Sequence, residues 1–255
     1  MIDVHCHLEY MKNIDEVVKE AMQKMLAIIT SVADPEDFDK IMKIQNKYPD
    51  FVFVSAGFHP ERMDKYTDDA IDAYLDLIQK NNEKLVAIGE IGLDYSWVKD
   101  EKKQERSKRI FMKFIKLAKE LKKPLVIHSR NGERNAITEV LDILEKEKAK
   151  HVVMHCFSGS NTELKRALEL GYYISFATLV CRSDKHKRLA EATPIEKMLL
   201  ETDAPWLDPF SKELVNRPWN IKESAKVLAG IKNVPEEKII EKTNENARKI
   251  FSLKA

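Results

Sequence analysis

Short apolar runs rich in β-branched residues alternate with longer amphipathic segments from one end of the chain to the other. That alternation constrains the fold more than any other feature. Strands are expected at 2–4, 26–32, 51–56, 85–88, 125–127, 152–154, 172–176 and 198–200. Eight strands interleaved with helices select a parallel sheet with right-handed crossovers. Strands covered on both faces read as continuous apolar runs, and most of these do. The 255 residues also match the usual size of an eight-fold β/α barrel. The expectation is an α/β fold, a (β/α)8 TIM barrel, with residues 1–255 as a single domain. An open doubly wound sheet is the alternative.

The intervening segments carry helix signals. Residues 12–25 read as a helix with Asn13 as N-cap, and Thr67 caps one that runs to residue 80. Residues 35–47, 135–148, 185–192, 220–229 and 235–251 are also helical in pattern. A long helix over 101–121 stops before Pro124, and one opened by Asn161 ends near Gly171.

Several strands run into a histidine or an acid. His5 and His7 follow Ile2-Asp3-Val4, Glu90 follows the 85–89 run, and His128 and His155 close the fifth and sixth strands. Asp203 follows Met198-Leu199-Leu200. Imidazole nitrogens and carboxylate oxygens suit Zn²⁺ and related divalent ions. A β/α barrel builds its active site at one end of successive strands. Ligands spread from the first strand to the last favour closure, because closure brings those two strands together. The set reads as a metal-dependent hydrolase site.

Each motif is weaker alone. In His5-Cys6-His7, alternate strand residues point the same way, so both rings can reach one ion. Gly89-Glu90-Ile91-Gly92 surrounds a carboxylate with glycines that permit close backbone approach. A lone histidine at a strand end is more often a hydrogen-bonded core residue than a ligand. Of Glu201 and Asp203, one can simply accept a backbone N–H. The agreement of five strand ends in type and position carries the reading.

The motifs His5-Cys6-His7-Leu8, Gly57-Phe58-His59-Pro60, Gly89-Glu90-Ile91-Gly92-Leu93-Asp94-Tyr95, His128-Ser129-Arg130, His155-Cys156-Phe157-Ser158-Gly159 and Glu201-Thr202-Asp203-Ala204-Pro205-Trp206-Leu207 occur in this order. Together they resemble the TatD-type deoxyribonucleases of the amidohydrolase superfamily, over essentially the whole chain. The resemblance implies a barrel with two divalent metal ions (Zn²⁺, Mg²⁺ or Mn²⁺) that hydrolyses DNA phosphodiesters, commonly from 3′ to 5′. By position, His5, His7 and Asp203 are expected on one ion, His128 and His155 on the other, and Glu90 between them. His59 and Arg130 are expected beside substrate phosphate. Asp203, with Glu90, is the expected catalytic carboxylate, taking the proton of the attacking water. The family usually carries Asn-Glu-Pro late in the chain, where this sequence has Asn216-Arg217-Pro218. A surface ion pair is the favoured expectation for Arg217, and a phosphate contact the alternative.

The substrate expected is a DNA end, single-stranded or frayed, with Trp206 and Trp219 as candidate stacking surfaces. A net charge of +1 argues against a long nonspecific grip on duplex nucleic acid. A related barrel hydrolysing an aminoacyl ester, amide or lactone is the first alternative, although His59 and Arg130 suit an anion better. Many amidohydrolase relatives bridge their metals through a modified lysine, and here Glu90 holds that strand end. A silent metal-binding or partner-binding barrel is the second alternative. No apolar stretch approaches membrane-span length, and no obligatory protein partner is inferred. Three cysteines, Cys6, Cys156 and Cys181, are too few and too irregularly spaced for a disulfide framework. A cytoplasmic chain is expected.

Overall fold

A computed structural model describes residues 1–213 and 215–254. Its strands are β1 Ile2–Cys6, β2 Ala27–Val32, β3 Val52–Ala56, β4 Leu85–Asp94, β5 Leu125–Arg130, β6 Val152–Met154, β7 Tyr173–Phe176 and β8 Met198–Leu200. They lie side by side in chain order, every adjacent pair parallel. Around them pack α1 Ile14–Met22, α2 Phe38–Lys47, α3 Asp68–Lys80, α4 Glu101–Leu121, α5 Ala136–Lys146, α6 Asn161–Glu169, α7 Asp184–Ala192, α8 Ile221–Lys232 and α9 Glu236–Phe251. The TIM barrel expected from the alternation is the fold observed. No helix among the described residues is long and apolar enough to cross a membrane.

The barrel closes where β1 meets β8. Asp203 N–H donates to His5 O at 2.9 Å, and His7 N–H donates to Ala204 O at 2.7 Å. Beneath them, buried Asp3 accepts from the Thr202 N–H (2.9 Å) and the Thr202 hydroxyl (2.5 Å). Closure thus carries Asp203 to His5 of β1 and to His7 just after it.

Strand alternation separates two apolar layers. Val4, Ile29, Val126, Val153 and Leu199 cluster with Ile250 and Phe251 of α9. Ile28, Val54, Ile127, Met154 and Met198 belong to the larger cluster that includes the surrounding helices. The end of α9 packs under the first strand, where Ile2 N–H donates to Asn244 Oδ1. One end of the barrel is therefore filled with side chains, and the polar site lies at the other.

Two local expectations are corrected. Asn13 does precede α1, but it is left-handed (φ 52°) and its amide donates to Glu16 Oε2 instead of capping the helix. The fourth strand does not stop at Ile88. It bulges there and continues to Asp94, which pairs with Arg130 of β5. The continuation depends on Gly92, whose φ of +146° and approach to β5 exclude a side chain: a Cβ there would meet His128 O at 1.9 Å. Glu90 is thus inside the strand, not beyond it.

Candidate metal centre

Glu90 is buried at the centre of the barrel mouth, and its two oxygens face different histidines. Oε2 lies 3.5 Å from Nε2 of both His5 and His7. Oε1 lies 2.7 Å from His128 Nδ1, 3.5 Å from His155 Nε2 and 3.6 Å from His59 Nε2. Asp203 Oδ1 adds a further oxygen on the first side, 3.8 Å from His5 Nε2 and 3.6 Å from His7 Nε2. Among the described residues His5, His7 and Asp203 form one compact donor group, His59, Glu90 and His128 another, and His5, His155 and Glu201 a third that shares His5 with the first. A buried cluster of nitrogen and carboxylate donors with few other partners has the chemistry of a divalent-cation site.

Three of the inward imidazoles have a carboxylate behind them. Glu9 Oε1 lies 2.8 Å from His7 Nδ1, Asp94 Oδ2 lies 2.9 Å from His128 Nε2, and Glu201 Oε1 lies 3.0 Å from His155 Nδ1. Such partners fix ring orientation and increase the basicity of the opposite nitrogen. Glu201 Oε1 also accepts the Cys156 N–H at 2.7 Å, so the acid expected to bind backbone does that and orients a histidine as well. Sequence reasoning gave no role to Glu9 or Asp94. The one signal for them was position, since Glu9 follows His7 by two residues and Asp94 stands in the glycine motif.

The proton balance follows from these pairs. Burial favours neutral His128, but Asp94 and Glu90 outweigh it and lift the ring to about 10. Burial likewise opposes the charge on His155, yet Glu201 and Glu90 raise it to about 9. His5 goes the other way: burial and the neighbouring His155 lower it to about 4 against the pull of Glu90. Burial resists ionisation of Glu90, but His59, His155, His128 and His5 hold it well below the usual carboxylate range. Asp203, at the cavity wall, is raised to about 6 by burial, with Glu90 and Glu201 adding to the rise and His155 and His7 opposing it. Of Glu90, Glu201 and Asp203, only Asp203 is raised.

The mouth is a cavity of about 450 Å³ whose walls include His59, Arg130, Tyr10, Arg62, Trp97 and Trp206. Arg130 is exposed there, and among the described residues its guanidinium has no ion pair or hydrogen bond, leaving it open to an anion. His59 lines the cavity close to Glu90, and burial lowers it to about 3 against the pull of Glu90. Arg62, which donates to the Tyr10 hydroxyl at 2.9 Å, is a second cation at the rim that the motifs did not reveal. Of the two tryptophans singled out, Trp206 faces the cavity at 47 % exposure, 5.1 Å from the His7 ring. Trp219 packs against the core under Lys24, away from the mouth. Arg217 was expected in an ion pair. It has none among the described residues and faces a neighbouring cavity, while nearby Asp208 accepts from the Phe210 N–H and the Asn220 amide. The cysteines are free, Cys6 buried and Cys156 and Cys181 partly so.

A family described as TatD related DNase matches residues 2–252. An uncharacterized metal-dependent hydrolase of Methanocaldococcus jannaschii is 37% identical over 253 residues, covering 98% of this chain and 96% of its own. Human deoxyribonuclease TATDN3 is 32% identical over 263 residues, with 98% and 94% covered. The crystal structure of YJJV, a TatD homolog from Escherichia coli, superposes with a TM-score of 0.88 at 26% identity, over 99% of this chain and 98% of that one. With its barrel and its buried donor cluster, the chain belongs to the TatD family of metal-dependent hydrolases.

Proposed function

We propose that this protein is a deoxyribonuclease that hydrolyses DNA phosphodiesters with two divalent ions, trimming single-stranded or frayed ends from 3′ to 5′. The observation that carries the reading is the division of Glu90, with Oε2 toward His5 and His7 and Oε1 toward His128 and His155. A carboxylate with one oxygen on each side is suited to bridge. His5, His7 and Asp203 then hold one ion and His128 and His155 the other. His59 joins the second group by distance, so it can serve as a donor there or meet phosphate beside it. Zn²⁺, Mn²⁺ and Mg²⁺ are the candidate ions, the nitrogen-rich set favouring the first.

When bound, two such ions polarise the phosphoryl oxygen, generate a nucleophile from water and stabilise the leaving oxygen. The chain's own residues do the rest. Asp203 takes a proton from the attacking water, as its position and elevated pKa allow. Arg130 offers a planar donor fork to a non-bridging phosphate oxygen. Trp206 gives a terminal base an aromatic face. Glu9, Asp94 and Glu201 keep three rings aimed inward.

The name of the human relative supports DNA as substrate. A cavity of about 450 Å³ at the barrel mouth suits a flexible terminus better than the interior of a stiff duplex. The direction rests on the family resemblance alone. The free thiols fit a reducing cytoplasm. Metal-reconstituted protein should be assayed on end-labelled linear and circular single strands of one sequence, on duplex, on RNA and on an aminoacyl ester. Rapid loss of the linear strand with the circle intact is the expected outcome. Efficient cutting of the circle contradicts the need for an end, and hydrolysis of the ester alone contradicts the nuclease.

A further inference from the structure

A second cavity, of about 760 Å³, opens beside the metal centre and shares Tyr10, Trp206 and Leu207 with it. We propose that this groove guides the DNA strand, holding the backbone phosphates beyond the bond being cut; the proposal rests on the nuclease reading. Its walls carry four cations, Lys12, Arg182, Lys212 and Arg217, against one acid, Glu213. The whole chain has a net charge of only +1. The excess in the groove is therefore local and not a sample of a basic surface.

The cations are available. Among the described residues, Lys12, Lys212 and Arg217 form no ion pair. Arg182 is fixed by donating its Nε–H to Asp208 O at 3.0 Å, which leaves its terminal nitrogens for an anion. Arg217 is set on a rigid base. Its N–H donates to Asn216 Oδ1 at 2.9 Å, and the buried Asn216 amide donates to Thr202 O (3.0 Å) and Thr178 Oγ1 (2.9 Å). Thr202 is the residue before Asp203, so the groove arginine and the catalytic carboxylate hang from one hydrogen-bonded unit.

Between the two cavities stand Tyr10 and Trp206, ring centroids 5.2 Å apart, with Trp206 also against His7. An aromatic partition flanked by cations matches a single strand, whose bases stack while its phosphates pair. An acidic peptide would meet the same charges but has no regular use for the aromatic faces. The strand thus runs from the groove, past Trp206, to the phosphate at Arg130.

Binding is tested on metal-free protein, so that the strand is not cut. Fluorescein-labelled oligothymidylates of about four and about twelve nucleotides span the range from one cavity to both. Wild type is expected to bind the long strand about tenfold tighter than the short one. Arg217→Ala with Lys212→Ala should remove most of that gain and reduce the salt-dependence slope by about 1.4, near 0.7 per phosphate contact on a single strand. Both side chains are solvent-accessible, and thermal melting checks that the double variant is folded. Wild type that binds and cuts DNA while the variant keeps both the gain and the slope overturns the groove and leaves the nuclease standing. Wild type that neither binds nor, once reconstituted, cuts any strand overturns both.

Discussion

Asp94 Oδ2 lies 2.9 Å from Nε2 of His128, on the side of the ring opposite the nitrogen that faces Glu90. Asp94 is itself held low, to about 2: burial opposes its charge, but the His128 hydrogen bond, with Ser96 and the Trp97 N–H, outweighs it. The pair aims a ring nitrogen at the centre without Asp94 touching it. Asp94→Asn should therefore lower metal affinity by about 10- to 100-fold while leaving the barrel folded. Elemental analysis across a chelator series measures this, and full occupancy at wild-type affinity would show that the packed ring needs no such partner.

Metal uptake should release protons. In the metal-free protein His128 and His155, raised to about 10 and about 9, are protonated at neutral pH. An ion must displace those protons, so apparent affinity rises with pH until it passes those values. The sign for metal-free stability is opposite. Raised imidazoles stabilise the fold fully below their unfolded value of 6.5 and lose that contribution as pH climbs through about 9 and about 10. Calorimetry in buffers of different ionisation enthalpy counts the protons, and binding heat independent of buffer would count against the pairs.

Among the described residues the Arg130 guanidinium has no partner at the cavity wall. Arg130→Ala should cost about 1.5–3 kcal/mol in kcat/KM on a phosphodiester, the worth of a charge-assisted contact. On a neutral carbonyl substrate the loss should be far smaller. Equal losses on both substrates would make the guanidinium structural.

Gly92 makes β4 continuous with the site. Because a Cβ there would meet His128 O at 1.9 Å, Gly92→Ala should force the strands apart. A destabilisation of about 2–4 kcal/mol is expected in denaturant unfolding, since the strained φ adds to the clash. An unfolding midpoint equal to wild type would mean that β4 and β5 can separate freely at this point.

The strand order and the six central residues were legible because each stands where an apolar run meets a polar residue. The course of β4 was not. Gly89 and Gly92 signal close backbone approach around Glu90, but only pairing with β5 shows that the strand itself runs on past them to Asp94. The carboxylates behind the rings were hidden for a related reason. Asp94 and His128 are on different strands, and Glu201 and His155 follow different strands, so each contact exists only once the sheet has assembled. Asn13 marked a helix start correctly, but its left-handed backbone turned the side chain toward Glu16. Arg217 carried no sequence signal for its surroundings, since Lys12 and Arg182, which share its cavity, come from segments far away along the chain.

The most direct measurement compares single-strand DNA turnover by one preparation before metal removal, after chelation verified by elemental analysis, and after reconstitution. The apolar interior of the barrel owes nothing to the donor cluster, so circular dichroism should be unchanged throughout. Turnover should vanish with the metal and return with about two ions per chain, as the bridging role proposed for Glu90 requires. Undiminished cleavage by verified metal-free protein would contradict the account at its centre.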